Sequence, residues 1–353
     1  MQEPGIRPPA PSPGSAAVEA APAAGADPDA PLLVLSYPRS GTTLLRVMLQ
    51  GHPEIAILPE PWWMVALTKA LGREQRLLTR GLATSYLAGY VSPSWLAGAD
   101  LALEEIVALL PPGPMREADV VSAVGRAYAN RSGKTRWGAK YPGAEFRRAL
   151  PLMARAIPGA TFVFLARDVR DVYLSQVGAG MREGTEDLYL YCLLWAVQTA
   201  RILNELDGMR DRSLVVRYED LVEAPGPSLE RLCEAAGLAT SPAIVERMLH
   251  YQDQIPRKLA RNPMHRHLQE PVLATNRRKF ASRLSPEQVR RTEILAGTVL
   301  KRLGYAENRT GLGLVDGVSV AGQLPLRLAL NAWRSLLGKS TISGMRLKRW
   351  AAG

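Results

Sequence analysis

Residues 35–45 read LSYPRSGTTLL. An apolar run ends at Pro38, and Ser40, Gly41, Thr42 and Thr43 follow before a helical pattern begins. A helix N-terminus placed straight after a buried strand offers unpaired N–H groups and the positive end of the peptide dipole, which together make an anion site. Gly41 lets the backbone approach the anion closely. Thr42 and Thr43 add hydroxyl donors, and Arg39 adds a fixed positive charge. In the triphosphate loop G-x-x-x-x-G-K-[ST], the first glycine would fall at Ser36 and the lysine at Thr42. That lysine reaches the β- and γ-phosphates, and the hydroxyl after it holds magnesium. Here the lysine is absent, and the apolar run at 161–166 ends in Arg167 rather than in an acid that could partner magnesium. The loop is better suited to another phosphate-bearing ligand than to γ-phosphate transfer.

A second group of residues lies in FLARDVRDVYLSQ, 164–176. Arg167 follows an apolar run directly. With a helix starting near 168, Ser175 sits two turns in, on the side of Asp168 and Asp171. Arg167 could then grip a phosphate while Ser175 donates to it.

The elements that would position these residues alternate along the chain. Strands are expected at 32–37, near 55–57, and at 135–139, 161–166 and 213–217. The runs at 32–37 and 161–166 are strongly apolar, as befits strands buried on both faces. Helices are expected at 42–51, 62–72, 101–110, 117–130, 143–156, 169–180, 186–208, 226–237, 241–250 and 286–303. The last opens with SPEQ, a serine followed by proline at the first helical position, and Gly304 ends it. Strands alternating with helices predict an α/β fold, a three-layer sandwich with a central parallel sheet flanked by helices, of the P-loop nucleotide-binding type. Residues 250–285 are polar and basic and read as a loop with short helical turns.

The chain has 353 residues, 47% hydrophobic and 22% charged, which is ample for one large α/β domain. Three segments follow. Residues 1–30, rich in Pro, Ala and Gly and carrying a net −3, are expected to be disordered. Residues 31–310 form the domain. Residues 311–353 are a basic appendage, with six cations and no acid over 317–353. Leu326, Leu330, Trp333 and Leu337 share a helical face there, so 324–350 could contact a membrane surface or a partner. The net charge of +11 suits an anionic ligand, whereas no basic-aromatic interleaving supports nucleic acid. Cys192 and Cys233 make no metal spacing and read as packing residues. The N-terminus lacks the basic and apolar regions of a secretory signal, which predicts a cytoplasmic protein. Richness in Ala and Arg points to a GC-rich bacterial source.

Taken together the motifs resemble those of sulfotransferases that use 3′-phosphoadenosine 5′-phosphosulfate (PAPS). YPRSGTTLL resembles their 5′-phosphosulfate loop, ARDVRDVYLS their 3′-phosphate motif, and VVRYEDLVEAP, 215–225, the segment after a later strand. The resemblance runs from about 32 to 304 and is nearest to the branch holding tyrosylprotein sulfotransferases and many bacterial enzymes. It implies sulfuryl transfer from PAPS to a hydroxyl acceptor without a metal. By the same match, Glu60 in HPEIAILPEPWW is the base, with His52 and Glu54 as rivals. Lys140 in RWGAKYP, at the end of a short strand, and Arg39 would face the sulfuryl group. Ser40, Gly41, Thr42, Thr43 and Leu44 would bind the 5′-phosphate, and Arg167 and Ser175 the 3′-phosphate. Tyr218 would contact the adenine side, and Arg278 and Lys279 would cover the phosphates. The acceptor is a small molecule, glycan or lipid, and homo-oligomerisation is open. A small-molecule kinase with a degenerate loop, or a nucleotide-binding protein without catalysis, are the alternative readings.

Overall fold

The computed structural model describes residues 30–74, 76–143, 146–255, 268–269, 272 and 276–305. The segment expected to be a basic C-terminal appendage, and all of the expected disordered N-terminus but Ala30, which is buried, lie outside the described residues.

Five strands form one parallel sheet: β1 Leu32–Ser36, β2 Ile55–Leu58, β3 Arg136–Pro142, β4 Thr161–Ala166 and β5 Ser213–Arg217. Their order is β2-β3-β1-β4-β5, with Val34 of β1 opposite Lys140 on one side and Val163 on the other. Helices in chain order are α1 Thr42–Gln50, α2 Trp62–Leu71, α3 Arg80–Tyr90, α4 Pro93–Ala99, α5 Leu103–Ala108, α6 Glu117–Arg131, α7 Phe146–Ala156, α8 Val169–Gly178, α9 Leu188–Asp207, α10 Tyr218–Glu223, α11 Pro225–Ala236, α12 Pro242–Leu249, α13 Phe280–Arg283 and α14 Pro286–Arg302.

The strand pleat sorts the core into two layers. Leu33, Leu35, Ala56, Leu58, Phe162 and Phe164 pack with residues of α2, α6, α7, α9 and α14. Leu32, Val34, Ile55, Ile57, Val163 and Leu165 pack with α1, α11 and α12. The four apolar residues of β1 are wholly buried, and each contributes about 1.5–3 kcal/mol of transfer free energy. On the first face, a Cβ at Gly125 of α6 would lie 2.0 Å from the Trp137 ring, so glycine there admits a large side chain of β3.

The chain leaves β1, builds β2 and β3 on one side, then crosses to β4 and β5 on the other. The reversal makes the C-terminal end of β1 the crevice where an open parallel sheet receives its ligand. The loop 37–41 occupies that point.

The three-layer α/β architecture matches the expectation, with local differences. β3 runs three residues further than 139, which puts Lys140 inside the strand rather than at its end. Helices α3 and α4 were not expected, because Gly81, Gly89 and Gly98 dilute the helical pattern there. The opening of α14 closes as a reciprocal cap with Gln288, whose Oε1 accepts from Ser285 N at 2.9 Å while Ser285 Oγ accepts from Gln288 N at 3.2 Å. Cys192 and Cys233 are buried and unbridged. Among the described residues no helix is long and apolar enough to cross a membrane.

Candidate active site

Gly41 is the N-cap of α1 and adopts φ +94°, a backbone conformation that glycine takes without strain. A Cβ at this position would also lie 2.4 Å from the Tyr218 ring. Ser40 N–H closes the turn onto the Tyr37 carbonyl at 3.3 Å. The chain then enters α1, so the N–H groups of Thr42, Thr43 and Leu44 are its first, unpaired donors. Ser36 Oγ donates to the Leu165 carbonyl at 2.8 Å and fixes the loop to β4.

Non-glycine residues with positive φ are rare and mark strain that surrounding structure must hold. The described residues contain four: Arg39 (73°), Glu60 (29°), Asp100 (54°) and Arg278 (53°). Three of the four are residues that the sequence nominates for the site, on three separate segments.

On the β3 side, Lys140 is 4% exposed. Its Nζ donates to Thr43 Oγ1 at 3.2 Å and pairs with Glu60 Oε1 at 2.9 Å. Burial pushes the Lys140 ammonium below its ordinary value, Glu60 opposes that shift, and Arg46 adds to it. Trp95 Nε1 of α4 donates to the Pro59 carbonyl at 2.9 Å and steadies the turn carrying Glu60. Trp62, two residues beyond Glu60, is 52% exposed. Lys140, Thr43 and Glu60 therefore form one connected group.

Arg39 is not part of it. Its Nε donates to Ser175 Oγ at 3.3 Å, and Arg167 Nη1 donates to the Arg39 carbonyl at 3.0 Å. The guanidinium of Arg39 thus lies on the β4 side, apart from the Glu60–Lys140 pair. A left-handed backbone at Arg39 directs its side chain toward α8, where a hydroxyl accepts from it.

Arg167 is buried. Its guanidinium carbon lies 4.2 Å from the Tyr218 ring centroid, and Nη2 donates to the Asn276 carbonyl at 3.0 Å. Arg167 Nε is buried with no hydrogen-bond partner among the described residues. Burial and then Arg167 lower the pKa of Arg39. Burial, Arg167 and Arg283 lower that of Lys279. Of the carboxylates beside this cluster, Asp168 pairs with Arg170 at 2.6 Å, while Asp171 Oδ1 accepts from Phe280 N at 3.0 Å and its Oδ2 is buried with no hydrogen-bond partner among the described residues. This is a cationic cluster fit for a phosphate dianion.

Tyr218, the first residue of α10, is buried between loop and cluster, and its hydroxyl accepts from Asn276 Nδ2 at 2.7 Å. Arg278 and Lys279 follow Asn276 and lead into α13, so this late segment does reach the β4 side. His52 is structural: Nε2 donates to the Ala239 carbonyl at 2.8 Å and Nδ1 accepts from Glu54 N at 3.1 Å. Both ring nitrogens are used in holding a turn.

Several residues of the site escape a reading of the sequence. Gln176 Nε2 donates to the Pro38 carbonyl at 3.3 Å and to Tyr191 Oη at 2.8 Å, while its Oε1 accepts from Arg182 Nε at 2.7 Å. Its place beside Ser175 was the only signal. Asn276 and Trp95 act through contacts between remote segments that no local pattern announces.

A profile described as "Sulfotransferase family" matches residues 31–242, which holds the loop, Glu60, Lys140 and the Arg167–Ser175 motif. Nodulation protein NoeE of Sinorhizobium fredii is 27% identical over 248 residues, covering 60% of this chain and 50% of that protein. The match thus spans half the length of that relative. Protein-tyrosine sulfotransferase 2 of Gallus gallus is 24% identical over 293 residues, covering 78% of this chain and 69% of that protein. Among solved structures, the sulfotransferase domain from the Synechococcus PCC 7002 olefin synthase superposes with a TM-score of 0.53 at 25% identity, covering 78% of this chain and 96% of that one. The sulfotransferase domain from the curacin biosynthetic pathway shares the fold at a TM-score of 0.50 and 20% identity, covering 76% and 97%.

Proposed function

The chain belongs to the sulfotransferase family, and on that premise we propose that it transfers the sulfuryl group of PAPS to a hydroxyl acceptor, with Glu60 as general base. The observation carrying this reading is the continuous contact from loop to base: Thr43 Oγ1, Lys140 Nζ and Glu60 Oε1 linked at 3.2 and 2.9 Å.

In the proposed step, the acceptor oxygen attacks sulfur in line with the bond to the 5′-phosphate oxygen. The S–O bond to the acceptor forms as the S–O bond to the phosphate breaks, and Glu60 takes the acceptor proton. The leaving phosphate oxygen gains negative charge. Lys140 and the first N–H groups of α1 are fixed donors for it before the reaction begins, so little reorganisation is needed. The products are a sulfate ester and 3′-phosphoadenosine 5′-phosphate (PAP).

Arg39, Arg167, Ser175 and Lys279 would hold the 3′-phosphate, the loop residues Ser40 to Leu44 the 5′-phosphate, and Arg278 would close over them. The unpartnered Arg167 Nε supports this assignment. Tyr218, packed against Gly41 and Arg167, would border the nucleotide. The acceptor, a small molecule, glycan or lipid, would approach past the exposed Trp62.

Isothermal titration with PAP, together with turnover of labelled PAPS in a cell lysate read by mass spectrometry of sulfated products, tests the proposal. Micromolar binding and a labelled ester support it. No binding at high micromolar PAP would sink it.

A further inference from the structure

Beyond the matched residues 31–242, helix α14 ends in a turn that returns one side chain to the site. Gly304 at φ +72° is left-handed. Gly304 N–H bonds the Lys301 carbonyl at 3.0 Å and Tyr305 N–H the Leu300 carbonyl at 2.7 Å. This paired closure reverses the chain at a helix C-terminus, and Tyr305 leaves it pointing back at the sheet. Its hydroxyl donates to Glu219 Oε2 at 2.6 Å, and the Arg217 guanidinium carbon lies 4.7 Å from its ring centroid.

Glu219 is buried, 6% exposed. Its other oxygen, Oε1, accepts from Asp168 N–H at 3.2 Å. That N–H belongs to the peptide joining Asp168 to Arg167, where the chain leaves β4 and no strand or helix partner remains for it. Asp168 Oδ1 in turn caps α8 by accepting from Arg170 N at 2.9 Å, and Arg170 reaches across to Glu293 of α14 at 2.7 Å. A buried carboxylate needs partners for both oxygens. Here one oxygen is tied to the end of α14, and the other to the peptide from which the Arg167 side chain projects.

We propose that Glu219 and Tyr305 are positioning residues for the donor nucleotide: they fix the Arg167–Asp168 peptide and thereby aim the Arg167 guanidinium at the 3′-phosphate. The inference rests on the donor assignment above. A guanidinium gains its full strength against a phosphate only when its planar fork is preset. Loosening the peptide that carries it weakens donor binding and leaves the Glu60–Lys140 group, on the other side of the loop, untouched.

The test is PAP titration and steady-state kinetics on the full chain with Tyr305→Phe, Glu219→Ala and Glu219→Gln. Tyr305→Phe keeps the ring against Arg217 and removes only the hydroxyl. It is expected to raise the Kd for PAP and the KM for PAPS about tenfold, as the Arg167 guanidinium loses its preset direction. Turnover at saturating PAPS and the acceptor KM stay within about twofold. Glu219→Ala is expected to weaken PAP further, and Glu219→Gln, which still accepts from Asp168 N–H, to recover most of the loss. Variants that melt earlier yet bind PAP like the wild type would reduce Glu219 and Tyr305 to scaffold and overturn the inference. Should Glu219→Ala not fold, Tyr305→Phe alone decides. A wild-type chain that does not bind PAP overturns the donor assignment and this inference with it, whereas wild-type binding that Tyr305→Phe leaves unchanged overturns only the positioning role.

Discussion

On the β3 side of the loop, an ammonium meets a carboxylate: Lys140 and Glu60 lie 2.9 Å apart. On the β4 side, Arg39, Arg167 and Lys279 converge, and burial and then Arg167 depress the pKa of both others. The first arrangement is balanced in charge. Glu60 offsets part of the cost of burying the Lys140 ammonium, and in the proposed reaction this pair serves the proton and the sulfuryl group. The second is unbalanced. Its mutual repulsion is relieved when a dianion enters, so it is built to bind. One loop thus separates a group suited to chemistry from a group suited to affinity.

That division can be broken experimentally, and the largest effect should come from the balanced side. Glu60→Gln keeps shape and hydrogen-bond reach but cannot take a proton. Its kcat should fall about a thousandfold, within the range for general bases, while the Kd for PAP by calorimetry stays within about twofold. Comparable loss of both quantities would erase the distinction. Arg167→Ala should do the reverse, raising the Kd for PAP about a hundredfold, as expected for loss of charge-assisted bonds. Its kcat at saturating PAPS should drop less than about tenfold. A turnover defect as large as that of Glu60→Gln would mean that Arg167 acts on the transferring group.

Gly41 serves both sides, so its replacement should not discriminate between them. Gly41→Ala imposes a left-handed alanine, at about 1–2 kcal/mol, and presses a methyl into Tyr218. Urea unfolding should register a loss of at least that size, and Tyr218→Leu in the same chain should recover part of it. If Gly41→Ala is as stable as wild type, the close approach of loop and Tyr218 is not a constraint.

The smallest effect lies away from both sides, at His52. Burial holds its pKa below the ordinary 6.5. The unfolded chain therefore takes up the proton first, and stability rises with pH across that window. It should be intact above about pH 6.5 and decline as pH falls toward the lower folded value, by an amount on the order of 2 °C in Tm. His52→Gln should flatten that decline without altering PAP binding. A changed kcat/KM profile in this variant would instead restore His52 as a candidate base.

Much of this was legible in the residues. Runs such as 32–37 and 161–166 are apolar at all but one position, the composition of a strand covered on both faces. The loop could be read because a strand, a glycine and a helix start are adjacent in the chain. Helices α3 and α4 were not legible, since three glycines blur their period. Lys140 was assigned to the right strand but the wrong place in it, because nothing in RWGAKYP marks where pairing with β1 stops.

Composition and spacing by themselves determined the parallel α/β architecture, the anion-binding loop and the segments that supply its charges, because each rests on residues close in sequence. Only the tertiary structure decided how those charges are shared out. Arg39 turns toward Ser175, 136 residues away, Lys140 toward Glu60 and Thr43, and Tyr305 toward Glu219. The direction of a long side chain is set by which partner burial brings within hydrogen-bond reach. That depends on strand order and on the strained backbone at Arg39 and Glu60, neither of which any local run of residues encodes.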